Sequence, residues 1–313
     1  MRTATATVLL SLLACGISWA TDGTVGCPIR PLYELREHEL PDLHDGSVND
    51  WRRVLPSPTL VSSDFYQIHP ETSQAPPSMP DLDVAVYLAW SAAGKVYAAF
   101  EVLDDCHYYH PDTGSWQRGA IDGLSFGIDG DASGGQFRGY WYDDSECELY
   151  PAPPACQVWR TWTMRQAQMY ESAVVLSDSA AVESESFREW ILDPAYTVVD
   201  GSSMGGGRSG WVLELMVTPF DDLLASGEGY WGKQSDSVAS TLTPGALMGI
   251  YVSVVDRDPG DEWWEFPVYQ LDRPTGHSRG PACSDNFSLF ELVPASERPT
   301  AVPQTTWGAV KGH

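Results

Sequence analysis

The chain has 313 residues, 43 acidic against 18 basic side chains, and a formal net charge of -25. So large a carboxylate excess repels phosphate backbones and anionic headgroups, which excludes nucleic-acid binding and polybasic membrane docking and leaves neutral ligands and cations. With 28 Gly, 23 Pro, 13 Trp and 14 Tyr but only 19% charged residues, the composition is that of a loop-rich, aromatic, folded β protein rather than a disordered chain.

Residues 1–20 read as a signal peptide. Arg2 precedes an apolar run from Val8 to Ala14, and Ser18-Trp19-Ala20 supplies a small-x-small cleavage site after Ala20. A second route treats Leu12-Leu13-Ala14-Cys15 as a lipoprotein signal, with Cys15 carrying a lipid anchor. Both place the protein outside the cytoplasm: secreted, periplasmic or at the cell surface. Beyond residue 20 no run approaches the ~20 apolar residues of a spanning helix. Residues 21–43 are expected to form an N-terminal extension, 44–295 the folded domain, and 296–313 a C-terminal tail.

Strand patterns dominate the domain. Val84, Val86, Leu88 and Trp90 alternate with Ala85, Tyr87 and Ala89; after Ala92-Ala93-Gly94, Val96, Ala98, Phe100 and Val102 continue on one face, so the two runs form a hairpin. Leu124, Phe126 and Ile128, then Val212 to Val217, Leu247 to Val255, and Phe287 to Leu292 add further short strands. A helical turn is expected only after Thr218-Pro219, with Phe220, Leu223 and Leu224 on one side and Gly227 as the stop. Strands joined by turns, without alternating long helices, predict an all-β, antiparallel, jelly-roll-like β-sandwich with long loops and at most one short helix.

Five cysteines follow either processing site: 27, 106, 147, 156 and 283. An exported chain favours their oxidation. Cys147 and Cys156 flank a proline-rich turn segment and are paired here, and Cys27 with Cys283 would tie the two ends. This leaves Cys106 over, although four cysteines allow three pairings.

Asp45-Gly46-Ser47-Val48-Asn49-Asp50-Trp51, then the Val84–Asp105 hairpin through Trp90, Val96-Tyr97 and Val102-Leu103-Asp104, are similar to the opening motif and the next segment of family 9 carbohydrate-binding modules. Asp122–Asp129, Gln136-Phe137-Arg138, Gly210–Leu215, Met248–Asp258 and Phe287–Leu292 resemble the later strands in sequence. The resemblance spans roughly residues 44 to 293 and implies a β-sandwich that binds oligo- or polysaccharide and often holds structural calcium.

Sugar rings pack their C–H faces on aromatic planes while their hydroxyls require polar partners. The resemblance puts Trp116 where the family has its first sugar-stacking tryptophan, with a longer spacing to Asp122. Trp264, Trp141, Gln136 and Arg138 complete the candidate ligand-binding set, whereas Trp51, Trp90 and Trp211 lie in patterned segments and are expected in the core. Trp263-Trp264 come earlier than the family's second tryptophan, and the later loop offers His277.

Acidic pairs at strand ends supply the candidate calcium ligands: Asp104, Asp129, Asp131, Asp256 and Asp258. Cys106-His107-Tyr108-Tyr109-His110 reads as a loop rather than a transition-metal site. There is no His-Glu-x-x-His and no phosphate-binding loop, so a non-catalytic binding protein is expected. Two alternatives stay open. One is an exported haem-b sandwich subunit of a periplasmic dehydrogenase, drawing on Met164, Met169, Met204 or His107; the other is a scaffold sandwich without a sugar site.

Overall fold

The computed structural model describes residues 28–43, 45–69, 75–77, 81–105, 122–134, 167–173, 181–184, 196–200, 209–222, 237–258, 267–272, 284 and 287–299. The leader, all six cysteines and the proposed haem ligands Met164, Met204 and His107 lie outside them, as does the side chain of Met169.

Fifteen strands are described. They are β1 (Arg30–Leu35), β2 (Leu60–Val61), β3 (Phe65–His69), β4 (Leu82–Ser91), β5 (Lys95–Asp104), β6 (Gly123–Asp129), β7 (Gln168–Ala173) and β8 (Ala181–Ser184). The remainder are β9 (Tyr196–Asp200), β10 (Ser209–Val217), β11 (Phe220–Asp222), β12 (Val238–Ala239), β13 (Leu247–Val255), β14 (Val268–Leu271) and β15 (Ser288–Val293). The described residues include one α-helix, α1 (Asn49–Val54).

Strand pairing runs in the order β8-β7-β6-β13-β15-β1-β4-β5-β10-β9, with β14 joining β13 to β3, β2 on β4, and β11 paired separately with β12. In this order β13, β15, β1 and β4 separate β6 from β5, which in a flat sheet would put the two roughly 24 Å apart. Yet the rings of Phe100 on β5 and Phe126 on β6 meet edge to face, 5.7 Å between centroids. The sheet therefore folds over on itself into two facing layers. Between them lies one apolar core: Val84, Val86, Leu88 and Trp90 of β4, Val96, Ala98, Phe100 and Val102 of β5, Leu124, Phe126 and Ile128 of β6, Trp211, Leu213, Leu215 and Val217 of β10, and Met248, Ile250, Val252 and Val254 of β13. The period-two pattern read from sequence is thus the inward face of each strand.

The fold line between the layers is β1, which the sequence pattern assigns to the N-terminal extension. It pairs with β15 and β4 in parallel, and every other described pair is antiparallel. Leu32 and Leu35 are buried, and Arg30 makes a two-pronged ion pair with Asp272 at 2.5 and 2.7 Å. Across the tail boundary, Arg298 donates to the carbonyl of Glu34 at 3.0 Å and to the carboxylate of Glu39 at 2.5 Å. Segments at both margins are thereby integral to the sandwich.

Two local assignments differ from the sequence pattern. Phe220–Asp222 is a strand paired with Val238–Ala239, with Phe220 N–H donating to the buried Gln168 side chain at 3.1 Å, while the rest of the expected helical turn, residues 223–227, lies outside the described residues. The helix lies instead at Asn49–Val54, where the Ser47 hydroxyl accepts from Asn49 N–H at 3.2 Å and Trp51 turns inward. Trp51, Trp90 and Trp211 are all buried, as expected, although Trp51 is helical.

Helix α1 covers the outer face of the β4–β5–β10 layer, which explains why both faces of these strands are apolar. Trp51, Val48 and Leu55 pack there on Tyr87, Ala89, Tyr97, Ala99 and Val212. Arg52 anchors the helix by donating to both carboxylate oxygens of Glu101, at 2.6 and 2.9 Å, and to the Tyr87 hydroxyl at 3.2 Å. On the outer face of the other layer Phe287 lies over Gly127 and against Tyr251. A Cβ on Gly127 would stand 2.7 Å from the Phe287 ring, so glycine is the residue that lets the ring lie on the sheet.

Candidate functional site

Three strand ends meet at one end of the sandwich. Asp104 closes β5, Asp122 immediately precedes β6, and Asp256 immediately follows β13. β6 and β13 pair antiparallel with Gly123 opposite Val255, so Asp122 and Asp256 extend that register by one rung. Asp104 arrives from the facing layer. All three are buried, and each presents a carboxylate oxygen within 4.8 Å of the other two. Beside them, more exposed, Asp81, Asp105 and Asp258 form a second triad with the same spacing. Within the second triad Asp105 N–H donates to Asp81 C=O at 3.0 Å, and Arg257 N–H donates to Asp122 Oδ1 of the buried one at 2.9 Å.

Burial, reinforced by the negative charges of Asp81, Asp122, Asp258 and Asp105, pushes the Asp256 carboxyl up to about 8. Burial and then the charges of Asp256 and Asp81 push the Tyr269 hydroxyl up to about 12. Such a group of carboxylates either retains protons or takes a cation. Two oxygens on one Ca²⁺, each at ~2.3–2.6 Å, can be no more than ~5 Å apart, and the buried triad meets that limit. Its donors are all oxygens, the chemistry a hard cation requires.

The five aspartates expected to bind calcium therefore fall in different places. Asp104 and Asp256 share the buried triad, and Asp258 belongs to the neighbouring one. Asp129 and Asp131 stand at the far end of β6, where Asp129 is ~23 Å of strand from Asp122. There Asp129 is fully buried and accepts from Ser133 N–H at 3.2 Å and Gly134 N–H at 2.8 Å, while Asp131 accepts from Ser133 N–H at 3.0 Å. Burial first, then the neighbouring Asp131, pushes Asp129 up to about 7, against the opposing N–H of Gly134 and the Ser284 hydroxyl. Asp81 and Asp122 were not among the sequence candidates for metal binding. Asp122 could have been found by extending the β6–β13 register, but Asp81 has no such signal.

The candidate sugar-binding residues Trp116, Gln136, Arg138, Trp141 and Trp264 lie outside the described residues, as do Cys27, Cys147, Cys156 and Cys283. Chain connectivity nonetheless divides the sugar set. Residues 106–121, containing Trp116, join Asp105 to Asp122, and residues 259–266, containing Trp264, follow Asp258; both adjoin the acidic end. Gln136, Arg138 and Trp141 follow the opposite end of β6.

No family model matches the sequence, and no curated protein does. Among solved structures, the chain has a fold-level likeness to a family 9 carbohydrate-binding module from Caldicellulosiruptor kristjanssonii, in complexes with glucose and with cellotriose. Each is 12% identical with a TM-score of 0.46, and the matches cover 87% and 88% of this chain and 100% of the module. A protein from Bacteroides uniformis, provisionally described as carbohydrate-binding, is 9% identical with a TM-score of 0.33, over 73% of this chain and 85% of that one. The all-β assignment above rests on this chain's own strand pairing. No described helix is long and apolar enough to cross a membrane.

Proposed function

We propose that this chain is an exported, non-catalytic carbohydrate-binding protein whose sandwich is braced at one end by calcium. The observation that supports it most is the convergence of Asp104, Asp122 and Asp256. Each belongs to a different segment of the motif series that resembles the family 9 modules, and the three meet where the segments containing Trp116 and Trp264 begin or end. Asp104, Asp122 and Asp256 would hold the ion, with Asp81, Asp105 and Asp258 adding charge beside it. A divalent cation there neutralises the carboxylates and fixes the ends of β5, β6 and β13 relative to one another. Trp116 and Trp264 would supply the apolar faces for the sugar, with Gln136, Arg138 and Trp141 as further contacts; the disulfides Cys147–Cys156 and Cys27–Cys283 complete the proposed exported form.

The test is a panel of immobilised glycans probed with the purified chain, with and without calcium, after its absorbance spectrum has been recorded. Glycan binding that weakens on calcium removal is the expected result. A folded, colourless chain that binds no glycan would overturn the reading in favour of a scaffold sandwich, and a Soret band would overturn it in favour of haem.

A further inference from the structure

The outer face of the sheet is covered in two places. Helix α1 lies over β4, β5 and β10, and Phe287 lies over β6 and β13, against Gly127, Gly249 and Tyr251. Between the two covers run β1 and β15, paired in parallel with Tyr33 opposite Val293. Phe290 and Leu292 belong to the main core, so the alternation along β15 turns Leu289, Glu291 and Val293 outward. Glu291 stands opposite Leu247 of β13 on one side and Pro31 of β1 on the other. Together with Ile29, which precedes β1, these residues make an outward stripe that is apolar except for Glu291.

The stripe is open to solvent. Ile29 is 53% and Leu247 38% exposed, Pro31 and Glu291 are exposed, and Leu289 and Val293 are half-buried. A contiguous apolar patch of this kind, lying between two covered regions of the same face, calls for a partner.

The course of the chain and its composition say which one. Arg298 donates to the carbonyl of Glu34 and to the carboxylate of Glu39, which fixes residue 298 at the end of β1, near the Tyr33–Val293 rung. From Val293 to Leu289 the stripe is ~13 Å of strand, and the 14 residues from Thr300 to His313 can extend ~46 Å. Those residues hold Val302, Trp307 and Val310, with Lys311 and no Asp or Glu, in a chain that has 43 acidic side chains. A second copy fits less well: it would set a net charge of -25 against itself, and a two-fold contact through the stripe would bring Glu291 toward its own counterpart.

We infer that residues 300–313 pack across the outward stripe of β1, β15 and β13, with Trp307 over Leu289 and Leu247 and with Lys311 answering the charge of Glu291. The segment closes the gap between α1 and Phe287, so the outer face is covered continuously from β10 to β6. Trp307 is then a packing ring rather than a sugar-stacking one.

The full chain with photoreactive benzoylphenylalanine in place of Trp307 tests this. After illumination, mass mapping of peptides is expected to find a crosslink within one chain, on the peptides that hold Ile29, Leu247 or Leu289. Leu247→Asp and Ile29→Asp, both at exposed positions, are each expected to weaken or abolish that crosslink while the circular dichroism of the folded chain is retained. No crosslink, crosslinks elsewhere on the surface, or a crosslink of undiminished yield in both folded variants would overturn the assignment. Crosslinks between chains, with sedimentation as a dimer, would overturn it in favour of a second copy.

Discussion

The indole N–H of Trp51 donates to Glu214 Oε1 at 2.7 Å, joining residues 163 positions apart and locking helix α1 onto β10. Replacing Trp51 with Phe keeps an aromatic ring over Tyr87 but removes the indole hydrogen bond to a buried carboxyl. Stability should fall by about 1–3 kcal/mol, read from the urea midpoint in EDTA. An unchanged midpoint would mean that the bond contributes nothing net.

Gly127 has no room for a side chain. Gly127→Ala brings a methyl to 2.7 Å from the Phe287 ring and should cost about 1–3 kcal/mol by overpacking. Combining it with Phe287→Leu should recover part of that loss, because the two residues touch. Additive losses in the double mutant would show that the strain is elsewhere.

The Asp104–Asp122–Asp256 cluster is expected to respond oppositely with and without calcium. In EDTA, Asp256→Asn replaces a carboxyl that burial and its acidic neighbours keep from ionising and should be at least as stable as wild type. With calcium at about 100 times its dissociation constant, wild type gains about 2.7 kcal/mol and the variant much less. Thermal denaturation under the two conditions reads both effects, and an equal calcium gain in the variant would exclude Asp256 as a ligand.

Asp129 predicts a pH dependence. Its carboxyl is raised from 3.8 to about 7 by burial and by Asp131, so between those values the folded state holds a proton that the unfolded chain has released. Stability from this source is fully present below pH 3.8 and is lost as pH rises toward 7, at up to about 1.4 kcal/mol per pH unit. Urea titrations of wild type and Asp129→Asn across that window should differ in slope, with the variant flatter. Parallel curves would place the titration on other groups.

Trp116→Ala should abolish glycan binding on the panel while leaving the melting temperature within about a degree or two, as befits a loop ring that contributes little to the core. A large drop in melting temperature would make Trp116 a packing residue and refute its role in sugar binding.

The all-β class, the β4–β5 hairpin, the inward faces of β6, β10 and β13, and the burial of Trp51, Trp90 and Trp211 were all legible in the sequence. A strand's side chains alternate by geometry, so one buried face writes itself directly into the residue order. What the tertiary structure decided is which strand ends meet. Asp104 and Asp256 are far apart in sequence and join only because the sheet folds over at β1, a strand whose short, mixed pattern gave no sign that it bridges the two layers. Phe220 lies in a strand, its N–H donating to the side chain of Gln168, 52 residues away, and α1 formed where it could cover the outer face of β10. Glu214 is the plainest case. The alternation along β10 assigns it to the outer face, and only the packing of α1 on that face buries it beside Asp50, because the strand's own period does not say which segment will cover it.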